Sequence, residues 1–147
     1  MKNHILDNNG TGALNMALFA RPSLGYFVID PTELKDCFVI WRNKKTIHEM
    51  ATNDENIPKH NQEEKIDKIK LVEKSVRKNE FTDTTLFGMR KDRNSPLVIT
   101  DGIHRAIGIY KVLLKNPKLK EKMMIRLLLV EGDHIENIDD YRLSVVK

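Results

Sequence analysis

A short apolar run, Leu97-Val98-Ile99-Thr100, passes without a linker into Asp101-Gly102-Ile103-His104-Arg105, and from there into a second apolar stretch that begins at Ala106. Turn chemistry, Lys91-Asp92-Arg93-Asn94-Ser95-Pro96, precedes the run, which therefore reads as a buried strand. From Arg105 to Lys115, the residues Ala106, Ile107, Ile109, Tyr110, Val112, Leu113 and Leu114 cover much of a helix circumference, and Asn116-Pro117 stops it. A helix of that kind packs centrally. A buried strand that enters such a helix through a glycine corner leaves few architectures open, all of them helices layered on a sheet around one core.

The rest of the pattern supports a single α/β (α+β) domain with a small mixed sheet and packed helices. At 147 residues one hydrophobic core suffices. The segment 61–79 carries Ile66, Ile69, Val72 and Val76 at helical spacing, with Asn61 and Glu64 at the separation of a capping box. Strands are expected at 26–29, 37–41, 84–89, 97–100 and 125–130, the third and fourth of these forming a hairpin. Residues 1–25 read as an N-terminal arm, with a short helical stretch at 13–20 ended by Pro22, and 26–147 as the domain proper. The segment 43–61 is long, polar and interrupted by Pro58, with a helical turn expected at 46–50. A stretch of that length in a compact domain is a candidate lid.

Charge and cysteine content narrow the function classes. The chain carries 25 Lys+Arg against 21 Asp+Glu, a net +4, which suits an anionic ligand without requiring one. The single cysteine, Cys37, lies in an apolar run and reads as a small buried hydrophobe, and one cysteine excludes an intramolecular disulfide. No apolar run approaches the roughly 20 residues of a membrane span, and the polar first residues do not resemble a signal peptide. No membrane partner and a cytoplasmic location are expected. The five histidines lack metal-ligand spacing. There is no Gly-Lys-Ser/Thr phosphate loop and no Gly-x-Ser-x-Gly elbow. The lysines of 61–79 alternate with Glu63, Glu64, Asp67 and Glu73, the pattern of a solvated face.

The chemistry concentrates at the corner. The first backbone N–H groups of a helix have no internal partner, and the helix dipole adds partial positive charge there, so the end is a ready anion site. Gly102 allows the turn and a close approach by a ligand. Arg105 offers a planar donor fork for phosphate oxygens, and His104 offers one or two further donors. Asp101 suits a magnesium ion or the orientation of a hydroxyl. Taken singly, each has a structural account: Asp101 as a helix cap, Gly102 as turn filler, Arg105 paired with a surface carboxylate. The four in sequence at one corner favour a ligand site.

The string Asp101-Gly102-Ile103-His104-Arg105, followed by a small residue and an apolar helix, resembles the Gly-x-His/Arg-Arg box of the ParB/sulfiredoxin superfamily. The order of elements over about residues 26–131 is also similar. It runs from Glu55-Asn56-Ile57-Pro58-Lys59, set against an Asn-Pro-Arg-like segment, through a helix, two strands, the box and a final strand. The resemblance implies phosphate contacts from Gly102, Ile103, His104 and Arg105, with Lys59 as a further one. It also implies catalytic roles for Asp101, His104 and Arg105, and magnesium ligation by Asp101 and Glu55. The implied ligand is a nucleoside triphosphate or another phosphate compound, and the implied activity is magnesium-dependent hydrolysis or phosphoryl transfer. A nuclease or nucleic-acid-binding accessory protein, and a non-catalytic phosphate-binding module, are the alternatives. Sulfinic-acid reduction is not expected, because Ile103 stands where that chemistry needs cysteine. Too few residues follow Gly132 for a ParB-type DNA-binding domain to be expected.

Overall fold

The computed structural model describes residues 4–5, 23–133 and 135. Six strands form one mixed sheet: β1 (His4–Ile5), β2 (Ser23–Ile29), β3 (Phe38–Val39), β4 (Thr82–Arg90), β5 (Val98–Asp101) and β6 (Met123–Glu131), in the order β1-β2-β6-β4-β5-β3. The pairs β4–β6 and β3–β5 are parallel, and β1–β2, β2–β6 and β4–β5 are antiparallel. The helices are α1 (Ile47–Thr52), α2 (Gln62–Lys78) and α3 (Ile103–Lys115), with 3-10 segments at Pro31–Asp36, Asp54–Asn56 and Pro117–Lys122. The α/β class and the mixed sheet expected from the pattern are therefore present. Among the described residues no helix is long and apolar enough to cross a membrane.

Register explains which residues become core. Phe27 pairs with Leu127, which pairs with Leu86, and all three point to one face. Leu129 and Ile99 continue that face on either side of Gly88, whose missing side chain leaves room for Leu97 and Leu127. Against it pack Ile103, Ala106, Ile107 and Ile109 of α3 and Ile69 and Val76 of α2. α3 lies between α1, α2 and the sheet, as its all-round apolarity implies. The helices α2 and α3 approach closely at Gly108, where a side-chain carbon would lie 2.6 Å from a methyl of Val72. The opposite face of the sheet carries Phe38, Val98 and Met89 in a small cluster and leaves Val28 and Phe87 exposed.

Three local expectations need correction. The first residues were expected as a loose arm, yet His4–Ile5 pairs antiparallel with Tyr26 and Gly25, and β2 begins at Ser23. The run 37–41 yields only the two-residue strand β3, because Cys37 closes the preceding 3-10 segment and a turn begins at Ile40, which makes the last bond to β5, and Trp41. The capping box predicted at Asn61 and Glu64 does not form. Asn61 adopts a left-handed conformation, φ 53, and its side chain makes no capping bond. The box occurs instead at Thr46 and Glu49, opening α1 where a helical turn was expected. The helical stretch predicted at 13–20 lies outside the described residues.

Candidate functional site

The corner is built by three elements. β5 ends at Asp101, Gly102 turns the chain, and α3 starts at Ile103. Gly102 has φ 85, the left-handed region that glycine occupies without penalty. A side-chain carbon there would lie 2.7 Å from Leu86 and 2.8 Å from Arg105 Nη2, so the backbone is bare by necessity. Next to the corner, the β4–β5 register shifts between Phe87 and Gly88, which sets Asp101 opposite Phe87. The first α3 bond runs from Ala106 N–H to the Gly102 carbonyl at 2.8 Å. The N–H groups of Ile103, His104 and Arg105 precede it, and no side chain caps them. Residues Thr100 to Arg105 line a concavity of about 280 Å3.

The side chains are positioned unequally. Arg105 Nη1 donates to Thr84 Oγ1 at 2.8 Å and to the Thr85 carbonyl at 3.0 Å, which holds the guanidinium plane against β4. Its Nη2 stands 3.8 Å from Asp101 Oδ2, an ion pair looser than a hydrogen bond. Two of the five donors are therefore committed, and the remainder of the fork, on a side chain 41% exposed, is oriented and available. Asp101 is 72% exposed at the strand end and does not cap the helix.

His104 points toward α2. Its ring meets Trp41 edge-on with centroids 5.4 Å apart, and its Nε2 atom is buried with no hydrogen-bond partner among the described residues. Burial, with Lys68 and Lys65 adding repulsion, lowers its pKa from 6.5 and keeps the ring neutral near pH 7. Lys65 also sits over the Trp41 ring, 5.5 Å from its centroid.

Glu55 and Lys59 pair with each other at 2.7 Å, both largely exposed, and Lys59 holds the Glu55 carboxyl below its usual range. Neither shares a contact with Asp101, His104 or Arg105 among the described residues. Asp101, Gly102, Ile103, His104 and Arg105 line one concavity, while among the described residues Glu55 and Lys59 pair with each other and are not part of that lining. Among the described residues no three His, Cys, Asp or Glu side chains converge as a ready-made metal cage. A magnesium ion needs no such cage, since it keeps several waters and takes one or two carboxylates plus the phosphates of its ligand. Asp101 would be one such carboxylate, at the strand end beside the corner.

Sequence reasoning missed Trp41, Thr84, Thr85, Lys65 and Lys68. The threonines sit in a strand and carry no motif. Trp41 follows the apolar run of β3 and looked like core. Comparisons with family models, with curated proteins and with solved structures found no match to this chain.

Proposed function

We propose that the corner binds the phosphates of a nucleotide or a related phosphate ligand, and that with magnesium it hydrolyses the nucleotide or transfers its phosphoryl group. The observation that carries this reading is the uncapped start of α3 on left-handed Gly102, beside an arginine already oriented by Thr84 and Thr85. An anion seated there meets backbone N–H donors, the positive end of the helix and the free part of the Arg105 fork. The similarity of the Asp101–Arg105 string to the ParB/sulfiredoxin box points the same way.

Each residue has a role within that reading. Gly102 clears the approach. The N–H groups of Ile103, His104 and Arg105 and the guanidinium stabilise phosphate charge as it shifts during transfer, so catalysis is mainly positioning and electrostatics. Asp101 would otherwise repel an anion. Its carboxylate would hold a magnesium ion, whose charge would offset that repulsion. His104 borders the same concavity, with its ring turned toward α2 and Trp41. Its lowered pKa rises when an anion approaches, so phosphate binding draws in a proton and strengthens as pH falls toward the lowered pKa of the free protein.

A thermal-shift screen with ATP, CTP, GTP, ADP and short single-stranded DNA, each with and without magnesium, tests the reading. A ligand at 100 times its dissociation constant adds roughly 2.7 kcal/mol to stability. The expected result is a magnesium-dependent shift with at least one nucleotide, absent in Arg105→Ala and weakened in Arg105→Lys, which keeps charge but loses the fork. Loss of the two bonds to β4 costs Arg105→Ala about 1.5–3 kcal/mol, so its fold is checked by circular dichroism first. A shift with every nucleotide that persists in folded Arg105→Ala rejects the site. A shift with DNA alone transfers it to the nucleic-acid reading.

A further inference from the structure

A second concavity lies at the other end of β5. Arg90, at the end of β4, and Asn94, Ser95, Pro96 and Leu97, leading into β5, form one wall. The 3-10 segment Pro31–Asp36 and Cys37 form the facing wall. The floor is the helix-side face of the sheet at Phe27, Ile29, Leu127 and Leu129. The cavity measures about 500 Å3, within the range of small-molecule sites, which are typically apolar with a few placed polar groups. The length of β5 separates it from the Gly102 corner, so it stands independently of the reading given above.

Its polar rim has a definite sign. A 3-10 helix repeats every three residues, so Glu33 and Asp36 project from the same edge, and both line the cavity. Both are exposed, and neither has an ion-pair partner among the described residues. Among the described residues, the one cation of the lining is Arg90, which is bonded through Nε to Glu131, so its charge is already met. Cys37 adds a neutral, soft wall. Burial pushes its thiol up to about 12, and its Sγ faces the Glu33 carbonyl at 3.4 Å. The result is a cavity with an apolar floor and two carboxylates that have no ion-pair partner among the described residues, in a chain whose net charge is +4.

We infer that this cavity is a binding site for a small organic cation with an apolar body, a primary alkyl- or arylalkyl-ammonium, whose chain lies over Phe27, Ile29, Leu127 and Leu129 and whose head is held by Glu33 and Asp36. The carboxylates select the charge, and the floor supplies apolar burial. A carboxylate ligand of the same length meets two like charges and no available cation.

Hexylammonium, hexanoate and hexanol form an isosteric probe set that differs in charge. Titration of methyl-labelled protein is expected to move the Ile29, Leu97, Leu127 and Leu129 resonances with hexylammonium and to leave Ile103 and Ile107 in place. Hexylammonium is expected to bind about tenfold more tightly than hexanol, with hexanoate weaker still. The double variant Glu33→Gln, Asp36→Asn alters only exposed groups and should remove that preference, whereas Arg105→Ala should leave it unchanged. Equal binding of hexanoate, an unchanged preference in the folded double variant, movement confined to Ile103 and Ile107, or no saturable binding at millimolar hexylammonium would each overturn the assignment. The comparison of charges on the native chain decides the matter even if the double variant does not fold.

Discussion

Two residues of the corner are constrained in ways that single substitutions expose. Gly102 combines φ 85 with contacts of 2.7 and 2.8 Å to any added carbon, so Gly102→Ala strains the backbone and displaces Leu86 or Arg105. The expected cost is about 2–4 kcal/mol, from the left-handed penalty together with overpacking, read as a lower urea midpoint with unchanged slope. His104 is the pH-sensitive residue. Its folded pKa is lowered from 6.5, so below that value the unfolded chain binds a proton that the folded chain resists. The contribution to stability is complete above pH 6.5 and is lost as pH falls through the lowered folded pKa. His104→Gln is expected to flatten the stability profile over that window, measured by urea titration at successive pH values. An unchanged profile would show that the ring accepts its proton without cost.

Among the elements, α1 shows how a short helix is held. Six residues are too few to form a helix on intrinsic propensity. Thr46 and Glu49 supply a reciprocal capping box, and Ile47 and Met50 bury against the core. Thr46→Ala is expected to cost about 1 kcal/mol, and hydrogen exchange should rise in α1 before it rises in α3. The contrast with α2 is instructive. Its 17 residues, apolar stripe and ends at Asn61 and Asn79 were legible because periodicity accumulates with length, yet the capping bond expected at its start does not form. Asn61 and Glu64 have the spacing of a box, but the chain leaves the 3-10 segment Asp54–Asn56 and Pro58 in a direction that puts Asn61 in the left-handed region, where its side chain does not reach back. β3 was overextended for a related reason. Five apolar residues in a row do not say which of them find a neighbouring strand, and only Phe38 and Val39 form ladder pairs with β5, the run leaving it after Ile40 donates to the Ile99 carbonyl at 3.0 Å.

The molecule as a whole is tied together by charges that sequence distance conceals. Glu73 is 3% exposed on α2, with Lys111 at 3.6 Å and Lys115 at 3.8 Å on α3 and Arg77 at 3.7 Å on its own helix. Lys111 also reaches Asp54 at 3.8 Å, linking the segment before α2 to the same network. Buried ion pairs are costly to break from one side and often neutral to replace with a well-packed apolar group. Glu73→Ala is therefore expected to destabilise by about 1–3 kcal/mol, and Glu73→Met by less than about 1 kcal/mol, both from denaturant unfolding. Equal losses in the two variants would mean that the charge, and not the filled volume, holds α2 to α3. At the other end of the sheet, Asp30 accepts from Thr32 and pairs with Lys120 at 2.8 Å, which lowers its carboxyl to about 2 and joins the end of β2 to the segment before β6.

The sequence by itself determined the strand, glycine and helix of the corner, because a buried run, a residue free of Cβ and an apolar helix are each local signals that adjoin one another. It also determined the α/β class, the stripe of α2 and the burial of Cys37. The tertiary structure decided everything that depends on which segments become neighbours. It inserted β6 between β2 and β4, and it paired His4–Ile5 with β2. It placed Trp41 and the lysines of α2 around His104, and Thr84 and Thr85 under Arg105, while leaving Glu55 and Lys59 to each other. It also faced Glu33 and Asp36 across a cavity from Arg90 and Leu97. Hydrophobic period and turn chemistry act over a few residues and are written along the chain. Pairing, burial of a particular charge and the shape of a cavity arise only when segments distant in sequence are packed against one another.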